Sequence, residues 1–153
     1  MTQFLFLALA KHQLIYFKRL LDETQLQGKV FQPAQLPLPR PWRLSAVAAR
    51  LDWAALIEEK CQERRVKRKY EGFFYRLLLR LELAWMALRV EALLRREKPE
   101  NVAMWNGSHR YCQLLLALLP EGCGTFFFEN GLLPDTTTLD SNGVNYRNSV
   151  PRN

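Results

Sequence analysis

The sequence predicts an α/β fold, a parallel sheet flanked by helices, on three observations. Short apolar runs end in turn chemistry at residues 4–10, 101–105 and 125–128. Helical periodicity lies between them, and the last two runs with their intervening segment follow the strand, helix, strand order of a βαβ unit. At 153 residues and 48% hydrophobic, the chain has the length and apolar content of one domain with a real core.

The elements follow in order. Residues 4–10 suit a buried strand. A helix comes next, with Leu14, Phe17, Leu20 and Leu21 at helical spacing and Gly28 just beyond its end. Residues 29–32 suit a second short strand. From Gln35 to Trp42, Pro37, Pro39 and Pro41 alternate, which prevents helix and disfavours a central strand. This segment reads as a rigid, extended connector of polyproline character. Ser45 suits the N-cap of a helix running to about Glu63. A long helix follows from Tyr70 to about Arg96, with Gly72 at the break between the two. Leu78, Leu81, Trp85, Leu88 and Ala92 form one apolar stripe of it, and Leu79, Leu83, Met86, Val90 and Leu93 a second. Two stripes predict a helix covered on more than one side.

After Pro99 the pattern returns to strand at residues 101–105, ending at Asn106-Gly107. Ser108 suits the cap of a helix through Tyr111, Leu114, Leu115, Leu118 and Leu119, which Pro120 and Gly122 end. Residues 125–128 are the next strand. The crossover between the two is expected to be right-handed and the sheet parallel. Regular structure is expected to run out from Asp135 onward. The predicted organisation is therefore one lobe over residues 1–134, with a helical insertion at about 45–98, and a loop over 135–153.

Charge and cysteine content narrow the function classes. The net charge of +7 favours an anionic partner. Three widely spaced cysteines, Cys61, Cys112 and Cys123, and only two histidines signal neither a zinc site nor a disulfide framework, and no metal is expected. They read as reduced thiols packed as small hydrophobes. The apolar run at residues 4–10 stops at Lys11, too short to span a bilayer, and no basic segment precedes it as in a signal peptide. A cytoplasmic protein is expected. No Walker loop, GxGxxG fingerprint, GxSxG elbow or HExxH motif occurs, so NTPase and hydrolase readings lack support.

Two constellations could carry chemistry. Parallel strands open their carboxyl ends on one rim, where ligands of open α/β sheets bind. The rim would carry Asn106, Gly107, Ser108, His109 and Arg110 from one strand end, and Glu129, Asn130 and Gly131 from the next. His12, just past the first strand, joins it if that strand is central. A carboxylate such as Glu129 can act as general base or nucleophile, and a helix N-terminus favours an anion. The bland alternative is a tight turn, a cap and a surface glutamate. The second constellation is the basic run Arg64, Arg65, Lys67, Arg68 and Lys69, followed by Phe73, Phe74 and Tyr75. From Arg64 to Lys98, eleven Lys and Arg face four Glu, a surplus equal to the charge of the whole chain. Such a cluster suits an anionic membrane surface or nucleic acid; its commonest alternative is a solvated helix face.

Phe128-Glu129-Asn130-Gly131, then Pro134-Asp135 and Gly143-Val144-Asn145, resembles the capsule polysaccharide biosynthesis/export family, which includes bacterial β-Kdo transferases of capsule linker synthesis. His12-Gln13-Leu14 with Tyr16-Phe17-Lys18-Arg19, and Val102 to Gly107, fit the same resemblance. It implies a Rossmann-like lobe, the N-terminal half of a two-lobed, GT-B-like glycosyltransferase whose second lobe is expected to hold much of the donor site. The implied donor is CMP-Kdo and the implied acceptor a lipid-linked glycan. The implied setting is the cytoplasmic face of the inner membrane, an anionic surface, with capsule export machinery as a further partner. The resemblance puts Glu129 in the active site, and no cofactor is implied. Asp135 or Asp140 could supply a second acid only if the loop folds back. The alternative from another class is a non-catalytic basic helical module that binds membrane or nucleic acid.

Overall fold

A computed structural model of the chain describes residues 2–130 and 137–141. The strands are β1 (Thr2–Leu7), β2 (Gly28–Phe31), β3 (Pro99–Trp105), β4 (Gly124–Asn130) and β5 (Thr137–Asp140). The helices are α1 (Lys11–Thr24), α2 (Leu44–Ala48), α3 (Trp53–Val66), α4 (Phe73–Glu97) and α5 (Arg110–Ala117). One sheet runs in the order β2-β1-β3-β4-β5. The first four strands in that order are parallel, and β5 is antiparallel to β4. The molecule is mixed α/β with a mostly parallel sheet, compatible with a Rossmann-like lobe.

The direction of travel explains the layers. From β1 to β2 the chain moves one way across the sheet; from β2 to β3 and on to β4 it moves the other. Right-handed crossovers then require helices on opposite faces. Phe17 of α1 packs with Phe6, Ala8, Ala103 and Phe128 on one face. The opposite face, with Leu5, Leu7, Val102, Met104 and Phe127, packs against Leu79 to Leu94 of α4 and Leu114 and Leu115 of α5. Strand alternation sorts neighbours such as Phe127 and Phe128 to opposite faces. Each fully buried leucine of this core contributes about 1.5–3 kcal/mol. Cys61 and Cys112 are completely buried, and Cys123 partly so.

Two glycines are set by geometry. A Cβ on Gly28 would stand 3.0 Å from the Phe4 carbonyl oxygen, so β2 approaches β1 only without a side chain there. Gly28 therefore begins β2, and the left-handed C-cap of α1 is Gln25 instead. Gly107 has φ +71°, and its Cβ would meet the Phe127 ring at 2.9 Å.

Other expectations are corrected. Ser45 caps nothing: Arg43 holds the N-cap position of the short α2, and the chain breaks before Asp52, whose side chain accepts from the Ala55 N–H and starts α3. Asp is as strong a cap as Ser and sits where the break falls. Helix α4 is covered on both stripes only in its second half: Leu88 and Ala92 are buried, while Leu78, Leu81 and Trp85 lie exposed. Regular structure does not stop at Asp135, because the β-branched run Thr137-Thr138 with Leu139 and Asp140 forms β5. The connector is extended only in its middle, because a 3-10 turn over Pro33–Gln35 takes in its first residue and another over Pro41–Arg43 takes in its last two, each with proline at a first-turn position where no N–H is needed. Leu36 has polyproline-like φ −61° and ψ 142°, and Arg89 of α4 donates to the Leu36 and Pro37 carbonyls at 2.8 and 3.2 Å. No helix among the described residues is long and apolar enough to cross a membrane.

Candidate functional site

The carboxyl ends of β1, β3 and β4 form one rim, and the reversal of strand order falls between β1 and β3. At that reversal the connections leave on opposite faces and open a crevice. The Asn106 N–H donates to the Phe128 carbonyl at 2.8 Å, so the Asn106-Gly107 turn and the Glu129-Asn130 segment stand side by side. Asn106 and Gly107 both take left-handed φ, which swings the chain off β3 toward α5. Glu129 differs from its expected placement in one respect. It lies inside β4 rather than past its end, half-buried and opposite Thr138 of β5. The hairpin also brings Asp140 back beside Phe127, two residues farther from the rim than Glu129. Gly131 and Asp135 lie outside the described residues.

The rim residues fall into two groups. Alternation puts Glu129 on the face of Phe127, the side of α5. Ser108 does not cap α5; His109 does, its Nδ1 accepting from the Tyr111 N–H at 3.3 Å while its ring stacks on Tyr111. Burial first, then the positive charges of Lys60 and Arg110, push the His109 imidazole below its ordinary value. That agrees with an Nδ1 lone pair in use as an acceptor. Arg110 is held by Glu82 at 2.6 Å. The second group lies on the α1 side. His12 meets Trp105 edge-on at 6.0 Å, with Tyr16 against the same indole at 5.4 Å. Asn130 shares the face of Phe128 by alternation.

One contributor escapes sequence reasoning. Gln13 is buried, and its Oε1 accepts from the Leu9 N–H at 2.8 Å, pinning the β1–α1 turn. Ala10 at the N-cap offers no side-chain bond, so no capping side chain satisfies the first-turn amides of α1. A glutamine at the third position of a helix is the available signal. Below this crevice, on the α1 face, a cavity of about 310 Å³ is lined by Phe4, Tyr16, Leu20, Phe126 and Leu139.

The basic run sits at the end of α3 and beyond it. Arg65 is taken up by Glu71 at 2.8 Å and Glu58 at 3.3 Å, and Arg64 stands 4.1 Å over the Tyr75 ring. Lys67, Arg68 and Lys69 are exposed and have no salt bridge among the described residues. Burial pushes the Cys112 thiol up to about 12, which makes it inert. Among the described residues no group of acids, histidines and cysteines is arranged to hold a metal.

No protein-family model, curated protein or solved structure matches the chain.

Proposed function

We propose that the chain is the Rossmann-like lobe of a glycosyltransferase of capsular or surface polysaccharide synthesis, moving Kdo from CMP-Kdo to a lipid-linked acceptor. One observation carries the proposal: two separate segments of the family resemblance, Trp105-Asn106-Gly107 and Phe128-Glu129-Asn130, stand side by side at the carboxyl ends of β3 and β4. The uncapped first turn of α1 supports it, because the positive end of a helix suits a phosphate. Glu129 is the proposed general base or nucleophile. His12, Asn130 and the Asn106–Arg110 turn are proposed to shape the donor site.

The experiment is Kdo transfer by a protein carrying this lobe, with and without Glu129→Gln. The substitution keeps shape and removes charge. Turnover is expected to fall by about 10²–10⁴, with the melting temperature nearly unchanged. Near-normal transfer by the variant removes Glu129 from the reaction, and failure of the unaltered protein to bind CMP-Kdo overturns the proposal.

A second reading has its own observation. Phe74, Leu78, Leu81 and Trp85 are 71%, 66%, 60% and 53% exposed along the first half of α4, next to Lys67, Arg68 and Lys69. An apolar stripe beside cations suits an anionic lipid surface. It would serve the lipid-linked acceptor of the first reading, or a non-catalytic membrane module.

A further inference from the structure

At the amino ends of the strands, opposite the rim, a cavity of about 920 Å³ opens between the connector, the end of α4 and the end of α5. Six cationic side chains line it: Arg40, Arg43, Arg50, Arg95, Arg96 and Lys98. Among the described residues, the sole acid lining it is Glu91. Cations at the C-terminal end of α4 have an ordinary explanation, since they complement the helix dipole. That explanation covers Arg95, Arg96 and Lys98. It does not cover Arg40, Arg43 and Arg50, which arrive from other segments at the same concavity.

The arginines are held in a particular way. Glu91 is buried, and a single oxygen of it, Oε1, meets the Nε of Arg43 at 3.2 Å and the Nε of Arg95 at 3.4 Å. Buried Glu97 takes the Nε of Arg96 at 2.7 Å. All three guanidinium groups meet their carboxylates most closely through Nε, and their terminal nitrogens donate no hydrogen bond to a carboxylate among the described residues. A guanidinium fork is matched to two oxygens of a phosphate. Arg89 fixes the far wall by binding the Leu36 and Pro37 carbonyls. Arg40 and Lys98 have no salt bridge among the described residues. So many like charges around one concavity repel one another until an anion enters.

We infer that this cavity is a binding site for a small diphosphate-bearing ligand, with Arg43 and Arg95 gripping the phosphates and Glu91 positioning both. Its volume suits a nucleoside diphosphate or a comparable diphosphate ester. The site is separate from the rim that holds Glu129.

Calorimetric titration of the purified chain at about 0.15 M ionic strength, where the screening length is about 8 Å, tests it, with inorganic pyrophosphate and adenosine diphosphate as probes. Both are expected to bind. Arg43→Gln with Arg95→Gln is expected to weaken binding roughly tenfold or more, the worth of a lost charge-assisted hydrogen bond. Lys67→Gln, Arg68→Gln and Lys69→Gln together remove more charge and are expected to leave affinity within about twofold, because distant exposed charges are screened. Glu91→Gln separates a built site from a merely positive one. Loss of positioning weakens binding, whereas a diffuse positive field would bind more tightly once an acid is gone. Should Glu91→Gln fail to fold, Arg40→Gln with Lys98→Gln carries the test, with the same expected weakening. Phosphatidylglycerol vesicles are expected not to displace pyrophosphate. The inference is overturned if neither probe binds, if the three-site control weakens binding as much as the arginine pair, if Glu91→Gln tightens it, or if vesicles compete.

Discussion

Single residues carry more of this fold than their number suggests, and Glu97 is the clearest case. Its Oε2 accepts from the Thr2 hydroxyl at 3.2 Å and from Lys29 at 2.7 Å, and its Oε1 takes Arg96. One buried carboxylate thereby ties β1, β2 and the end of α4 together. Burial works to raise its pKa, and the hydrogen bonds from Lys29, Arg96 and Thr2 together outweigh it and hold the carboxyl below its ordinary value. A depressed carboxyl stabilises the fold above the unfolded-state value of about 4.3 and loses that contribution as pH falls through the folded value. Glu97→Gln is expected to cost about 1–3 kcal/mol at neutral pH, read as a lower melting temperature. The gap between variant and parent should close as pH is lowered from 5 toward 3. A gap that stays constant with pH would show that charge plays no part. His109 acts in the same direction, because burial lowers its pKa, so the unfolded chain takes up that proton first and stability falls as pH drops from about 6.5 toward the folded value. Of the rim residues, Asn106 and Glu129 were readable from the sequence because each ends an apolar run. Gln13 was not, because its role lies in a side-chain bond to a turn whose ends periodicity does not mark.

Among the elements, α4 shows what apolar periodicity reveals and where it stops. Both stripes are real, but a stripe does not say what covers it. The second half of α4 is largely buried, whereas the first half leaves Leu78, Leu81 and Trp85 exposed and is tied to α3 through Arg76–Glu58 and to α5 through Glu82–Arg110. The exposed stretch gives a prediction about lipid. The chain is expected to sediment with phosphatidylglycerol vesicles, and raising salt should weaken this as screening shortens. Each basic side chain near such a surface is worth about 1 kcal/mol. Replacing Phe74, Leu78 and Leu81 with Ser should therefore reduce binding at any salt concentration, whereas replacing Lys67, Arg68 and Lys69 with Gln should chiefly remove its salt dependence. Unchanged sedimentation by both variants would mean that the stripe does not meet lipid. A preference for single-stranded nucleic acid at the same ionic strength would favour the nucleic-acid alternative. Strand β5 escaped the sequence reading for a simple reason: four residues at a sheet edge, three of them polar, carry almost no apolar signal.

At the scale of the whole molecule, the parallel sheet and its crossover were legible because strand, turn and helix signals recur in a fixed order, and handedness rules convert order into layers. The cationic cavity was not legible. Its residues come from positions 40, 43, 50, 95, 96 and 98, and only the packing of the connector onto α4 brings them together. Two of the three thiols are sealed, Cys61 in α3 and Cys112 in α5, while Cys123 is only partly buried just before β4 begins. The folded chain therefore behaves toward a thiol-alkylating reagent as a protein with one cysteine. Mass spectrometry is expected to show a single adduct forming first, on Cys123, slowed by its partial burial. The second and third adducts should appear only at the rate of global unfolding and accelerate together with denaturant. Early modification of Cys112 would show that α5 lifts from the sheet on its own. Because the Cys123 N–H is bonded to the carbonyl of Pro120, a residue of the cavity wall, a fluorophore attached to that one sulfur would serve as an optical gauge of what enters beside it.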